Sequence, residues 1–502
     1  MDVVAQDKKN QPVKDLTKDD FELLEDGKPQ TISVFSVEGQ VAPAAGAPLA
    51  PLLPGTFTNR PTRPSDFPAS ATVILLDGLN TSPADLALAR REVAKFLRQL
   101  QSQDRVALYS MGRDLWIVQD FTNNSSLILK ALEGMHAERN APAGPQLSSL
   151  LTPDESVVKL AALIAPQIVG MSLRGFEAIG QHLADVPGRK NLIWISNGFS
   201  LTSTAPIPKN PYDPRTTTQN SPPNESIFVP QIQKACRVLG KYNVAVYPID
   251  ARGLLLGMNA MEEDVVGPMK RAVKEMEKAH DSGYMLADLT GGRALYNNND
   301  ISGVIRSAID DSKLVYVLGY YPTQKKWDSK FHAFKVRVQR PGVKLLYRSG
   351  YLAVPEEQNP NPADAESALG RAVLSPLDST AIGLRARLQK TGTGGQPVTI
   401  DLRVDVNDLA LNHDKDRWKG TLEVVIAQRT STGQSPVDSA RKHSVNLNLK
   451  EDYNTQLKTE ELELFFPVTP DPQAVELRVV VRDANSGALG TVSIPLDKAA
   501  GE

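Results

Sequence analysis

A strand that ends on a carboxylate constrains this chain more than any other segment. Residues 73–77 are four aliphatic residues followed by Asp77, and Asn80 and Thr81 come shortly after. A continuous apolar run of this length is typical of a strand buried on both faces of a parallel sheet. Open α/β sheets bind ligands at the carboxyl ends of such strands. The segment therefore predicts an α/β domain with a candidate site at the carboxyl edge of its sheet.

A helix is predicted directly after this turn. Ser82 can cap it, Pro83 suits its first turn, and Asp85 has the spacing of a capping box. Apolar residues then recur at intervals of three and four, as one face of an amphipathic helix requires. They are Leu86, Ala89, Val93, Phe96 and Leu100. These residues therefore predict a strand, then a turn that could bind a ligand, and then a helix.

Composition limits the classes of partner. With 502 residues the chain is too long for one hydrophobic core, so we expect two or three domains. Its 56 basic and 58 acidic residues leave a formal net charge of −2, which gives no reason to expect a nucleic acid or an anionic membrane as partner.

No apolar run reaches the roughly 20 residues of a membrane helix, so we expect no membrane insertion. The single cysteine, Cys236, lies on a predicted helix, where we expect a buried apolar role.

The amino terminus bears on localisation. It lacks the pattern of a signal peptide, yet residues 3–6 resemble the middle of a strand whose beginning is missing. We therefore expect that an export signal has been removed and that the protein is extracytoplasmic, either periplasmic or secreted.

The first half of the chain divides by its patterns. Alternating β-prone segments and polar turns predict an N-terminal β-module over residues 1–40. Dense proline and alanine predict a linker over 41–68. From 69 to 325 strands alternate with helices, which predicts a mainly parallel sheet with helices on both faces. The last strand of this series is predicted at 314–320, after one at 293–296.

The remaining segments follow the same logic. Alternation and turn residues predict a β-hairpin over 326–354, which we expect to pair with the amino-terminal strands. Residues 355–395 are predicted to be a linker with helical character. Strands at regular spacing predict a C-terminal β-sandwich over 396–502. Two long interruptions, at 136–153 and 199–226, are predicted to emerge near the edge that carries Asp77.

Three separate motifs resemble one known family. They are Val13 to Phe21 with Glu25 to Gln30, then Gly188 to Ser196, and finally Leu318 to Pro322 with Lys330 to His332. In this order they resemble the von Willebrand factor A-related family typical of Acidobacteria, over residues 1 to about 355. The resemblance implies a Rossmann-like A-type domain beside β-structure, in exported proteins that are mostly of unknown function.

The resemblance also implies a candidate metal site. A-type domains typically bind a divalent cation through Asp-x-Ser-x-Ser after the first strand, a threonine in a second loop and an aspartate after the fourth strand. Here Asp77 and Thr81 match the first motif, but Leu79 stands at a ligand position. Ser172 is the nearest hydroxyl for the second loop, and Asn197 stands where the last carboxylate would be.

Two interpretations of this turn stay open. In one, the site holds Mg²⁺, Ca²⁺ or Mn²⁺ weakly through Asp77, Asn80, Thr81, Ser172 and Asn197, with Asn80 giving an amide oxygen. Binding would be weak because a hydroxyl and a carboxylate are missing from the ligand set. In the other, Asp77 and Asn80 cap backbone amides, and no cofactor is bound.

No catalytic constellation is recognisable. The six histidines are scattered singly without H-E-x-x-H spacing, and no G-x-S-x-G elbow occurs. We therefore expect no enzymatic activity. Asp250, just beyond a strand at 244–249, would share the edge with Asp77, and Trp327 lies in a polar loop as either a partner anchor or a packed residue.

The leading interpretation is a non-catalytic protein-binding protein that uses the carboxyl edge of a degenerate A-type domain. Asp77, Thr81, Asp250 and Trp327 would face an unidentified protein partner. The first alternative is a divalent-cation-dependent adhesion protein that uses the same edge, and the second is a hydrolase with an unrecognised site. The sequence leaves the oligomeric state open.

Overall fold

The computed structural model describes the chain in separate stretches. They are residues 1–39, 52–60, 71–112, 114–135, 155–199, 208–210, 213–217, 228–252, 277, 279–322, 327–354, 362–390, 398–430 and 440–496. The loop predicted at 136–153 lies outside them, as does the loop at 199–226 apart from Phe199 and two short strands. Two compact units result. Unit 1 comprises Met1–Ala42, Pro68–Glu177 and Pro187–Val354, and unit 2 comprises Pro43–Phe67, Ala178–Val186 and Pro355–Glu502.

The described strands and helices are numbered in chain order. The strands are β1 (Asp2–Gln6), β2 (Phe21–Glu25), β3 (Lys28–Gln30), β4 (Val34–Gly39), β5 (Thr56–Thr58), β6 (Ala71–Asp77), β7 (Arg105–Met111), β8 (Leu115–Thr122), β9 (Lys190–Ser196), β10 (Pro208–Asn210), β11 (Asp213–Thr217), β12 (Val244–Asp250), β13 (Leu314–Gly319), β14 (Phe331–Val338), β15 (Lys344–Leu346), β16 (Gly350–Leu352), β17 (Leu384–Lys390), β18 (Val398–Val404), β19 (Asn412–Asp414), β20 (Arg417–Arg429), β21 (Arg441–Lys450), β22 (Leu462–Val468), β23 (Glu476–Asp483) and β24 (Leu489–Pro495). The helices are α1 (Pro83–Leu97), α2 (Ser125–Glu133), α3 (Glu155–His182), α4 (Val229–Lys241), α5 (279–290), α6 (Ile301–Asp310), α7 (Pro362–Leu374) and α8 (Glu451–Glu460). Within these stretches, no helix is both long enough and apolar enough to cross a membrane.

A five-stranded sheet, called the A-sheet here, organises unit 1. Its strand order is β12-β9-β6-β7-β8. All neighbouring pairs are parallel except β7 and β8, so β8 is an antiparallel edge strand. The order of the strands along the sheet reverses at β6, whose carboxyl end carries Asp77. Such a reversal is where an open α/β sheet forms a ligand crevice.

Helices cover the A-sheet on both faces. One face packs against α1, α2 and α6, with Ile74, Ile193 and Tyr247 of the sheet in one core with Val93 and Ile305 of the helices. These sheet residues are buried because each parallel strand is covered above and below.

The opposite face of the A-sheet is also covered. Trp194 of β9 meets Phe176 of α3 edge-on, with ring centroids 5.3 Å apart. Helix α4 buries Ile232 and Cys236. The predicted fold class, an α/β Rossmann-like domain with a flanking β-rich module and a C-terminal β-sandwich, is confirmed.

One predicted strand does not join the A-sheet, and another pairs with it at a single position. The strand predicted at 314–320 is β13, and it pairs antiparallel with β1 and β4 instead. The strand predicted at 293–296 reduces to one parallel bridge between Leu295 and Ile249. The alternation of apolar residues identifies a strand but not its partner, because backbone pairing is decided by residues far away in sequence.

A β-module made of both ends of unit 1 accompanies the A-sheet. One four-stranded sheet has the order β15-β1-β13-β4 and the other β16-β14-β2-β3. Val3, Phe21, Leu23, Tyr316 and Val336 belong to one core formed by these strands. The amino-terminal strands thus pair with strands of the segment that follows the A-sheet.

His332 links two turns of this β-module. It is buried, with Nδ1 2.7 Å from Oδ2 of Asp26 and Nε2 3.1 Å from Oδ1 of Asp328. A carboxylate can only accept, so both ring nitrogens carry hydrogens and the ring is an imidazolium. The hydrogen bond with Asp328, together with that of Asp26, outweighs burial and raises the pKa of His332. Glu25, 4.0 Å from Nδ1, and Tyr351, stacked at 5.4 Å, also face the ring.

We expect the stability of unit 1 to fall as the pH rises above neutrality. Because the folded pKa of His332 lies above its unfolded value, its contribution is fully present below about pH 6.5 and is lost as the pH rises through the folded pKa. The pKa values of Asp26, chiefly through the Ala333 amide, and of Asp328, chiefly through the Lys330 amide, are lowered. Their contributions are therefore present above about pH 3.9 and are lost as the pH falls through the lowered values.

The measurement is the melting temperature of wild type and of His332→Gln across this pH range. The variant should lose the decline at alkaline pH, whereas His413→Gln, at an exposed histidine of unit 2, should keep it. An equal decline in wild type and His332→Gln would contradict the imidazolium assignment.

Unit 2 is a β-sandwich that also contains helices α7 and α8. Its sheets are β22-β18-β17-β5 and β19-β20-β23-β24, with β21 also paired to β20. Ile400, Leu402, Val424, Ile426 and Val479 form part of the core between the sheets. Alternate residues of each strand point into this core, which is the pattern that predicts a sandwich.

Two predicted linkers contain strands of this sandwich. Residues 56–58 of the predicted linker 41–68 form β5, and 384–390 of the predicted linker 355–395 form β17. The two strands pair antiparallel with each other. This pairing joins residues more than 300 positions apart, which local sequence patterns do not reveal.

Candidate functional site

The Asp77 carboxylate lies at the carboxyl end of β6 and is fully buried. Its Oδ1 accepts from the backbone amides of Leu79 at 2.9 Å and Asn80 at 3.2 Å. Its Oδ2 accepts from Nδ2 of Asn80 at 2.7 Å, Nε1 of Trp194 at 2.8 Å and Oγ of Ser196 at 2.8 Å. A carboxylate offers about four lone-pair positions, so these five donors fill its acceptor positions.

Burial and hydrogen bonding act on Asp77 in opposite directions. Burial raises the pKa of the carboxyl, and the hydrogen bonds from Asn80, Trp194 and Ser196 oppose that rise. The protein itself therefore supplies the partners that a buried carboxylate requires.

The side-chain amide of Asn80 joins two predicted ligands. Its Nδ2 donates to Asp77 and, at 2.9 Å, to Oγ of Ser172. Ser172 gives its own hydrogen to the carbonyl of Ile168 at 3.2 Å, so it presents a lone pair to Asn80. Because the Asp77 carboxylate and the Ser172 hydroxyl oxygen both accept here, the NH₂ group of Asn80 points toward them. Asn80 therefore presents a donor here and not the amide oxygen that a cation requires.

Thr81 and Asn197 form a second contact beside the first. The Asn197 amide donates to Oγ1 of Thr81 at 3.3 Å, and Nδ2 of Asn197 donates to Asp85 at 2.9 Å. Asp85 also accepts from Oγ of Ser82 at 2.7 Å, and Ser82 caps α1 by accepting from the Asp85 backbone amide. Oδ1 of Asn197 is buried and has no hydrogen-bond partner within the described stretches.

The side chains at this edge do not fit a divalent cation. Asp77 has no free acceptor position, Asn80 presents a donor, and Leu79 is buried at a ligand position. A hard cation needs several oxygen ligands with charge compensation. Among the described residues, no group of three or more His, Cys, Asp or Glu side chains is placed to hold a metal ion.

Direct contact of a partner with Asp77 or Thr81 does not fit the structure either. Asp77 is 0% and Thr81 1% exposed, because the turn after β6 folds over both side chains. Their role in the described structure is to fix the shape of the edge.

Asp250 organises a second group of side chains at the same edge. It ends β12 and accepts from Nε and Nη2 of Arg252, both at 2.8 Å, and from Nε2 of His280 at 2.6 Å. Burial alone would raise the pKa of Asp250, but the hydrogen bonds from His280 and Arg252 outweigh it and lower the pKa. The carboxylate therefore stays ionised in a site that is otherwise nearly closed to solvent.

Aromatic rings connect this group to the surface. Tyr296 stacks on His280 with centroids 3.9 Å apart and an interplanar angle of 12°. Tyr284 meets Tyr296 edge-on at 5.1 Å and is 53% exposed. Asp250 thus contacts His280, on which Tyr296 stacks, and Tyr296 in turn contacts the exposed ring of Tyr284.

Sequence analysis identified only Asp250 of this second group. The signal for the others is weak: Arg252 follows two residues later, and His280 and Tyr284 are four apart on α5, which places them on one helix face. Among the described residues, no hydroxyl or thiol hydrogen-bonds to His280, so the Asp250–His280 pair lacks a nucleophile there.

Trp327 does not share the carboxyl edge. It precedes β14 of the β-module and follows no strand of the A-sheet, although it is exposed as a partner anchor would be.

Comparisons with known proteins find similar solved structures only. No family model matches the chain, and no curated protein matches it. Among solved structures it is similar to a von Willebrand factor type A protein from Catenulispora acidiphila, with 11% identity, 93% of this chain and 73% of the other covered, and a TM-score of 0.28. It is also similar to BatB from Bacteroides thetaiotaomicron, at 13% identity over 48% of this chain and 97% of the other, with a TM-score of 0.23. The SpRpn10 VWA domain is similar at 12% identity over 48% of this chain and 96% of the other, with a TM-score of 0.23.

Proposed function

We propose that this chain is a non-catalytic, extracytoplasmic protein-binding protein that uses the carboxyl edge of its A-sheet without a metal ion. The observation that carries the proposal is the Asp77 carboxylate, whose acceptor positions are filled by donors of the protein itself. A metal-dependent site keeps such a carboxylate available to the ion and its ligand. In this chain Asp77 instead holds the carboxyl edge of the A-sheet rigid through these hydrogen bonds.

The surface that meets the partner includes Tyr284 and its neighbours. Exposed tyrosines that are held in place bury much area at little entropic cost, and they are enriched among residues that dominate binding. Tyr284 is held by Tyr296, which stacks on His280.

We further propose that the chain is a member of the von Willebrand factor A-related family typical of Acidobacteria. The support is the order of three motifs in the sequence, one of which contains β9 and another His332. Export is part of this proposal.

Millimolar Mg²⁺ or Mn²⁺ is expected to leave the protein unchanged. Calorimetric titration should give no heat of binding, and the melting temperature should not rise, because the acceptor positions of Asp77 are already filled. Titration of Mg²⁺ into EDTA serves as the positive control of the instrument. A saturable heat with a rise in melting temperature would support the cation-dependent alternative instead.

Affinity capture tests the protein-binding proposal itself. Wild type should retain the same proteins from an envelope fraction of the source organism with and without EDTA. Tyr284→Ala should lose them, whereas Tyr453→Ala, at a tyrosine of unit 2 that is 49% exposed, should keep them. Loss of the captured proteins on chelation would overturn metal independence, and retention by Tyr284→Ala would overturn the assigned surface.

The Asp250–His280 pair is the observation behind the hydrolase alternative. A screen of ester, glycoside and phosphate-ester substrates with wild type and Asp250→Asn tests it. We expect no hydrolysis above the variant, and turnover that the variant loses would favour the hydrolase.

A further inference from the structure

Helix α5 presents an exposed stripe in which a tyrosine lies between two carboxylates. Asp281, Tyr284 and Asp288 follow one another at intervals of three and four residues, which places them on one face of the helix. All three are exposed. From the first to the last, the stripe measures about 10 Å along the helix axis. It therefore forms an anionic surface with an aromatic ring near its centre.

A second tyrosine holds the ring of Tyr284. Tyr296 meets it at an interplanar angle of 83° and stacks on His280. Gly283 makes this close approach possible, since a Cβ at that position would overlap the Tyr296 hydroxyl. The orientation of the Tyr284 ring is therefore fixed before a partner binds, which lowers the entropic cost of the complex.

The two carboxylates of the stripe have no counter-charge within the described part of the chain. No Lys, Arg or His side chain there forms an ion pair with Asp281 or Asp288. Arg252 does not compensate them, because its guanidinium is held by both oxygens of Asp250. Burial raises the pKa of Tyr296, and the negative charges of Asp250 and Asp281 add to that rise. The aromatic pair thus lies in a negative field.

The position of Asp288 is unfavourable for the helix that carries it. Helix α5 ends at residue 290, so Asp288 lies in the last turn, at the negative end of the helix dipole. A carboxylate is repelled there, and no described cation offsets the repulsion. Helix stability therefore does not explain this residue, whereas a positively charged partner does.

Arginine side chains match this surface in charge and in shape. A guanidinium stacks on the face of a tyrosine ring and is attracted by it. The same group donates charge-assisted hydrogen bonds to carboxylates. An extended polypeptide rises about 3.3 Å per residue, so arginines three positions apart span about the length of the stripe. An arginine-rich extended segment is the ligand that these features fit.

We propose that α5 binds an arginine-rich, extended segment of the partner protein through Asp281, Tyr284 and Asp288. One guanidinium stacks on the Tyr284 ring beside Asp281, and a second pairs with Asp288. The inference rests on the proposed function, because it names the kind of partner that meets Tyr284.

A peptide of defined sequence provides the first test. The probe is fluorescently labelled (Arg-Gly-Gly)4 with blocked ends, and its binding to the full chain is measured by fluorescence anisotropy. It should bind at least about tenfold more tightly than (Gln-Gly-Gly)4, and its affinity should fall as the salt concentration rises. Equal affinity for the two peptides would overturn the proposal.

Variants of the stripe provide the second test. Asp281→Asn combined with Asp288→Asn should weaken binding of the arginine peptide at least about tenfold, and so should Tyr284→Ala. Tyr284→Phe should retain most of the affinity, because the ring remains. The matched control is Asp452→Asn combined with Glu460→Gln, which removes two exposed charges from α8 in unit 2. Equal weakening by both double variants would show general charge attraction and would contradict the assignment.

Stability separates a binding carboxylate from a structural one. Because Asp288 faces the negative end of the helix dipole, Asp288→Asn should leave the melting temperature unchanged or raise it. A large fall in the melting temperature would show a structural role and would count against the proposal.

Capture from the envelope fraction distinguishes failure of this inference from failure of the proposed function. If the double variant of Asp281 and Asp288 retains the proteins that Tyr284→Ala loses, the protein-binding surface stands and the arginine assignment is wrong. If Tyr284→Ala retains them as well, the surface itself is wrong. Loss of the same proteins from both variants, together with binding of the arginine peptide by wild type, is the result that we expect.

Discussion

Replacing Asp77 with alanine is expected to lower the free energy of unfolding of unit 1 by about 3–5 kcal/mol. The change leaves Nε1 of Trp194, Oγ of Ser196 and the donors of Asn80 without their acceptor in a fully buried site. A buried donor that loses its partner costs about 1–3 kcal/mol, and local rearrangement recovers part of the sum.

Hydrogen exchange of the β6 and β9 amides measures this loss within unit 1, and urea denaturation measures it for the whole chain. Asp114→Ala is the matched control, since Asp114 is an exposed carboxylate beside β8. Asp77→Asn should cost nearly as much as Asp77→Ala, because its NH₂ group would face donors. A loss below about 1 kcal/mol would show that the carboxylate does not hold the edge together.

Gly198→Ala is expected to cost about 2–4 kcal/mol through a backbone clash. Gly198 has φ +75°, a conformation that L-residues with a side chain adopt only with strain. A Cβ at this position would lie 2.5 Å from the carbonyl oxygen of Ala279. Because that oxygen belongs to the backbone of α5, relief requires the helix to shift, and with it His280 and Tyr284.

Gly27→Ala provides the matched control for Gly198→Ala. Gly27 has φ +77°, and a Cβ there meets no atom within 4 Å. It should therefore show the conformational cost alone, about 1–2 kcal/mol. The excess in Gly198→Ala reports the contact with α5, and capture of the partner should weaken with it. Equal losses in the two variants would mean that α5 moves freely at this point.

The turn after β6 satisfies a buried carboxylate with hydrogen bonds. Asn80 lies between Asp77 and Ser172 and donates to both. Because an amide is neutral, this contact adds no charge, and the surrounding donors stabilise the carboxylate. The proposed metal-independent binding rests on this arrangement.

Local sequence signals located the elements around Asp77 well. Strand β6, the Ser82 cap and α1 lie where the residues predict them, and Ser82 accepts from the Asp85 amide at 3.1 Å. These features depend on neighbouring residues, since capping and helix periodicity act over a few positions. The strand that ends on Asp77 could therefore be identified as the candidate site.

Partners far apart in sequence were the main source of error. The strand predicted at 314–320 is β13, which joins β1 and β4 and not the A-sheet, and β5 and β17 pair within predicted linkers. The orientation of the Asn80 amide was likewise undecided, because it depends on Ser172, which lies 92 residues away.

Local residue patterns established the α/β alternation, the carboxylate at the end of β6 and the helix cap that follows it. These properties arise from contacts between near neighbours and from the period of apolar residues. Three-dimensional packing established that donors of β9 and Asn80 fill the acceptor positions of Asp77, and that Tyr284 is supported through Tyr296 and His280. Each of these depends on side chains brought together by strand order and helix packing, and burial makes their hydrogen bonds and charges decisive.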